Sequence, residues 1–96
     1  MGAIVLPKKS QQVTICNKLG LHARAATKLA QLSQKFSAQI TLELAGKKAD
    51  AGSIMALMLL AGGQGKTVNI TAQGEDAQLA LTEICQLISD KFDEAE

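Results

Sequence analysis

Two stretches of strict alternation limit what this chain can fold into. Ile40, Leu42 and Leu44 alternate with Gln39, Thr41 and Glu43, and Val68, Ile70 and Ala72 alternate with Thr67, Asn69, Thr71 and Gln73. Successive side chains on a strand point to opposite faces, so each stretch predicts a strand with one apolar side and one side of threonines, amides and acids. Val13-Thr14-Ile15-Cys16 alternates more briefly. The turn Ala45-Gly46-Lys47 leads into a short return strand ending at Asp50. A sheet with a single apolar face needs helices on that face and tolerates water on the other.

Helical spacing supplies the cover. From Ala23 to Lys35 the residues Ala25, Leu29, Leu32 and Phe36 recur at intervals of four, three and four, with Ala26 and Ala30 widening the stripe. Ser53 stands where an N-cap belongs, ahead of Ile54 to Leu60, and Gly62, Gly63 and Gly65 stop that helix. After Gly74-Glu75-Asp76 a longer helix sets Ala77, Ala80, Leu81, Ile84, Leu87, Ile88 and Phe92 on its inner side, with acids at its start and Lys91 near its end. The predicted order is β-α-β-β-α-β-α. This is an α+β open-faced sandwich: a four-stranded, mainly antiparallel sheet with three helices on one face.

Composition argues against several classes. Ninety-six residues hold one core, and an apolar content of 47% is enough to fill it. Ten Lys and Arg against nine Asp and Glu argue against a dedicated nucleic-acid binder, and two Phe without Tyr or Trp weaken that reading further. The run Ile54 to Ala61 is far short of the roughly 20 apolar residues that a membrane span requires. Cys16 and Cys85 lack metal spacing and read as free thiols of a reducing cytoplasm. Residues 1–11 read as a flexible N-terminal extension to a domain over 12–96. Their charge follows the apolar run, which is the wrong order for a secretory signal. The acidic tail after Phe92 reads as solvated.

One histidine is present, His22, between the loop Asn17-Lys18-Leu19-Gly20 and the start of the first helix. The first N–H groups of a helix lack internal acceptors and lie at the positive end of its dipole, so an anion on or beside His22 would be received there. Arg24, in the same first turn, can add a charge-assisted hydrogen bond. An imidazole nitrogen is nucleophilic near neutrality. Spacing alone leaves two readings open: a nucleophile beside an anion cradle, or an incidental surface histidine with a solvated arginine. No neighbouring carboxylate completes a triad, no second histidine completes a metal site, and no phosphate-binding glycine loop accompanies them.

The segment Gly20-Leu21-His22-Ala23-Arg24 resembles the active-site signature of the histidine-containing phosphocarrier (HPr) family of the bacterial phosphoenolpyruvate-dependent phosphotransferase system. Ser53 follows at the family's spacing of 31 residues, and Val68 to Asp76 is similar to its last strand and turn. The resemblance runs from Gln12 to about Phe92, and Asn17 to Arg24 leans toward proteobacterial members, including the nitrogen-related NPr branch. It implies a monomeric carrier, not an enzyme and without a cofactor or metal. Enzyme I would phosphorylate Nδ1 of His22, Arg24 would support the phosphate, and an EIIA-type protein would accept it, for sugar uptake or nitrogen-related regulation. Many members carry proline where this chain has Ala25, which puts the transfer rate in question more than the identity.

The resemblance gives other residues a second meaning. Ser53 is an N-cap, and it is also the counterpart of a serine that an HPr kinase/phosphorylase modifies in some members, although Gly52 replaces the lysine often found before it. The second helix is apolar nearly all round. Leu57 and Leu60 are its core candidates, while Ile54, Met55 and Met58 either complete a well-buried helix or form a docking face, with Ala23, Thr27 and Gln31 extending it. Two other functions compete: a regulatory interaction module switched by phosphorylation at His22 or Ser53, and a split β-α-β module binding RNA or a small ligand.

Overall fold

The computed structural model describes residues 5–96. In chain order the elements are β1 (Lys8–Thr14), α1 (Ala23–Ser33), β2 (Gln39–Leu44), β3 (Lys47–Asp50), α2 (Ile54–Leu59), β4 (Thr67–Gln73) and α3 (Ala77–Ser89), closed by a short 3-10 turn, Lys91–Asp93. The four strands lie in the order β1-β4-β2-β3, and every pairing is antiparallel. The expected α+β open-faced sandwich is the observed fold.

Alternation does what the sequence predicts in the two central strands. Ile40, Leu42 and Leu44 of β2 and Val68, Ile70 and Ala72 of β4 are buried. Leu42 sits opposite Ile70 in the register, so the two strands present one apolar surface. Leu29 of α1, Leu57 of α2 and Ile84 and Ile88 of α3 cover it and are fully buried. Each such side chain contributes roughly 1.5–3 kcal/mol on leaving water. Across β4 the polar side carries a hydroxyl ladder, with Ser10 Oγ 3.1 Å from Thr71 Oγ1 and Thr14 Oγ1 3.2 Å from Thr67 Oγ1.

Boundaries differ in instructive places. β1 begins at Lys8, so residues 8–11, expected to lie outside the domain, are paired along Thr71 to Gln73 and Ile70 of β4. Their Lys, Ser and Gln side chains suit an exposed edge strand and give no alternation to read. The first four residues of that expected extension lie outside the described residues. The β2–β3 turn consists of Ala45 and Gly46, both at positive φ, and Lys47 already pairs with Leu44. α1 ends at Ser33, two residues before the expected Lys35. Asp76 stands at the start of α3 but sends its carboxylate to the N–H groups of Ser37 and Ala38, at 2.9 and 2.8 Å, and so ties α3 to the segment entering β2.

The chain leaves α3 by an uncommon route. Lys91, Phe92 and Asp93 have φ of 58°, 54° and 63°, a full left-handed turn without a glycine. That conformation costs roughly 1–2 kcal/mol per residue, so packing must hold it. Phe92 is fully buried, and Lys28 Nζ donates to the Phe92 carbonyl oxygen at 2.8 Å. Both anchors turn the tail back across the start of α1.

Candidate active site

His22 is itself the N-cap of α1. Its backbone is extended, its carbonyl oxygen accepts the first intrahelical bond from Ala26 N–H at 2.9 Å, and its Nδ1 accepts from Arg24 N–H at 3.3 Å. The helix therefore has no internal acceptor for the N–H groups of Ala23, Arg24 and Ala25, and the ring nitrogen occupies the place a serine or aspartate oxygen takes in an ordinary cap. A phosphoryl group on Nδ1 would project toward those same donors. The sequence placed His22 at the helix junction; the geometry makes it the capping residue.

The loop before it is fixed by backbone bonds. Leu21 N–H donates to the Gly62 carbonyl oxygen at 2.9 Å, and His22 N–H donates to that of Gly20 at 2.9 Å. Asn17, fully buried, donates through Nδ2 to the Gly20 oxygen, also at 2.9 Å. Because Gly62 follows α2, the loop that aims His22 is docked on the end of the helix carrying the apolar face.

The expectation of a solvated tail without a carboxylate near His22 is overturned. Glu94 Oε2 accepts from Nε2 of His22, and Glu94 Oε1 accepts from Asn17 Nδ2 at 2.9 Å. The side chains of His22 and Glu94 are 26% and 14% exposed. The bond from Asn17, then the bond and charge of His22 and the charge of Arg24, hold the Glu94 carboxyl below the usual glutamate range. No sequence spacing could find this contact, because 72 residues separate the partners.

His22, Ala23, Arg24 and Glu94 line one open depression of about 660 Å³, together with Lys18 and Leu19. The Arg24 side chain is exposed and has no hydrogen-bond partner among the described residues. Leu19, in a segment whose sequence predicts only a loop, is 69% exposed. Among the described residues no three His, Cys, Asp or Glu side chains are grouped to hold a metal ion.

The other candidate residues divide. Leu57 and Leu60 are buried, while Ile54, Met55 and Met58 are exposed, and Leu59 joins them at 72%. Thr27 spends its hydroxyl on the Ala23 carbonyl oxygen at 2.7 Å, and Gln31 borders a different depression with Lys28 and Lys35. Ser53 caps α2, its Oγ accepting from Ala56 N–H at 3.3 Å. Ala25 is fully buried, so the alanine at the family's proline position faces the core. Cys16 and Cys85 are free thiols, and burial pushes the Cys85 thiol up.

Comparison with known proteins agrees with this geometry. Residues 9–90 match the family described as the PTS HPr component phosphorylation site. The chain is 54% identical over 90 residues to the phosphocarrier protein NPr of Shewanella violacea, covering 94% of this chain and 99% of that one. It is 45% identical over 86 residues to the phosphocarrier protein HPr of Cupriavidus necator, covering 90% and 97%. The crystal structure of HPr-C-His from Thermoanaerobacter tengcongensis superposes with a TM-score of 0.87 at 42% identity, covering 92% of this chain and 99% of the other. A histidine-capped helix on a one-sided sandwich defines a phosphocarrier class. The chain belongs to the HPr family of the phosphotransferase system, a family that includes the NPr branch.

Proposed function

We propose that His22 accepts a phosphoryl group from phosphorylated Enzyme I, itself charged from phosphoenolpyruvate, and passes it to an EIIA-type acceptor. The supporting observation is the Nδ1 lone pair directed at the open N-terminus of α1, beside an exposed Arg24. In transfer the donor's P–N bond breaks as the Nδ1–P bond forms, and the bonding pair stays on the donor nitrogen. First-turn N–H groups and the guanidinium then face the phosphoryl oxygens. The chain is a stoichiometric carrier and not an enzyme, needs no cofactor, and acts as a monomer in the cytoplasm. Positioning, which dominates phosphoryl transfer, is shared with the partners.

Ile54, Met55, Met58 and Leu59 provide the apolar surface that both partners would cover in turn. Ser53 lies at the base of that surface. A phosphate placed there by an HPr kinase/phosphorylase would add nearly two negative charges to it and oppose docking. The similarity to proteins named NPr favours a nitrogen-related acceptor over a sugar-type one. Protein loaded by Enzyme I and offered to nitrogen-type and sugar-type EIIA acceptors side by side tests the reading. Transfer to either supports the relay, the faster acceptor identifies the branch, and transfer to neither would overturn it.

A further inference from the structure

The contact between Glu94 and His22 assigns a task to the C-terminal tail. Nδ1 accepts a proton contact from Arg24 N–H, so in the neutral ring the single proton belongs on Nε2, the nitrogen that faces Glu94. An imidazole with its proton on Nδ1 has no lone pair there with which to attack phosphorus. Which tautomer is present thus decides whether the ring can accept a phosphoryl group at the helix N-terminus.

We infer that Glu94 is a positioning residue that keeps the proton of His22 on Nε2 and so leaves Nδ1 free as the nucleophile. This rests on the phosphocarrier reading of His22 and deepens it. The arrangement is built from several independent supports. Asn17, buried and bonded to the Gly20 oxygen, fixes Glu94 Oε1 from the loop side. Lys28 Nζ holds the Phe92 carbonyl oxygen from α1, and Lys28 lies 3.8 Å from Asp93. Buried Phe92 anchors the left-handed turn that delivers the tail. The ring is thus held at both nitrogens, by Arg24 N–H and by Glu94, while loop and helix in turn hold Glu94 and the tail.

Proton and charge balance follow. When the Nδ1–P bond forms, the Nε2 proton stays on the ring, which becomes a cation beside the Glu94 carboxylate. When the phosphoryl group leaves, the electron pair of the Nδ1–P bond returns to Nδ1 and the ring is neutral again. No other base has to take up a proton in either step. The other charged side chains lining the depression are Arg24 and the pair Lys18 and Glu96, which are 3.5 Å apart.

The chain has one histidine, so a single pair of ring nitrogens appears, told apart by their couplings to the ring carbon-bound protons. Nitrogen-15 spectra of the neutral ring in the unphosphorylated protein should show the proton on Nε2. In Glu94→Ala a second population with the proton on Nδ1 should appear, and phosphorylation by Enzyme I should slow about tenfold, the range set by losing a partner that orients an imidazole. Glu94→Gln, whose amide oxygen still accepts from Nε2–H, should restore both to within about twofold. Spectra identical in wild type and Glu94→Ala would overturn the role of Glu94, even if Enzyme I phosphorylates both. Failure of Enzyme I to phosphorylate the wild type would sink the carrier reading instead, while the tautomer comparison would still decide what Glu94 does.

Discussion

A Cβ on Gly20 would stand 2.3 Å from the carbonyl oxygen of Gly62, the same oxygen that accepts the Leu21 N–H. Gly20 also has a φ of +65°. The loop that aims His22 and the segment that ends α2 therefore touch backbone to backbone. Nucleophile and apolar face are parts of one surface, held in register by an approach that only glycine permits.

Gly20→Ala should therefore cost about 3 kcal/mol, combining a left-handed alanine with overpacking against Gly62. Urea unfolding gives the stability, and amide chemical shifts of Leu21 to Arg24 should move with it. A loss below about 0.5 kcal/mol, the scale of an ordinary surface substitution, would show that the loop is not pinned there.

Ser53 allows cap and charge to be separated. Ser53→Ala should lower stability by about 1 kcal/mol through loss of the bond from Ala56 N–H. Ser53→Asp keeps a capping oxygen, so it should retain stability while adding charge to the docking surface. Its phosphorylation by Enzyme I should be slower than that of the alanine variant. Equal rates in the two would separate Ser53 from any control of docking.

Met55 and Leu59 are 70% and 72% exposed on α2. Leu59→Glu should leave the fold intact, since Leu57 and Leu60 carry the burial, and should raise the KM of Enzyme I for this carrier about tenfold, the scale of one lost interface anchor. The kcat should change little. Enzyme I kinetics with varied carrier concentration separate the two, and an unchanged KM would remove Leu59 from the interface.

Glu94 carries a pH signature. Its carboxyl is held below the usual glutamate range, first by the bond from Asn17 and then by His22 and Arg24. A carboxyl depressed in the folded state stabilises that state above its unfolded pKa, and the contribution is lost as pH falls through the lower folded value. Tail docking should thus persist through the ordinary glutamate range and weaken only in more acidic solution. The Glu94 side-chain carboxyl carbon resonance should report a midpoint below the usual glutamate range, and Asn17→Ala should move it upward. A Glu94 midpoint within the usual glutamate range would contradict the docked tail.

Local patterns carried the sheet and the helices because each states its period within a few residues. Ile40, Leu42 and Leu44 needed no partner to be read as one face, and the spacing of Leu57 and Leu60 marks them as core, whereas only the fold decides that Ile54, Met55 and Met58 are exposed. Lys8 to Gln11 gave no such signal, since an edge strand with water on its outer side has no alternation to keep. Glu94 was illegible for a different reason. Its contact depends on three consecutive left-handed residues, none a glycine, whose conformation comes from burying Phe92 and not from any local preference. His22 and Arg24 were readable as candidates from their place at a helix start. That the ring caps the helix itself required the backbone of His22 to be extended, which only the fold determines.

The central claim is that Nδ1 of His22 carries a phosphoryl group. Incubation with Enzyme I and phosphoenolpyruvate, followed by phosphorus-31 and nitrogen-15 spectra, tests it directly. One acid-labile phosphoryl group per chain, bonded to Nδ1 and absent from His22→Ala, is the predicted result. Equal labelling of His22→Ala, or a phosphoryl group bonded to Nε2, would contradict it.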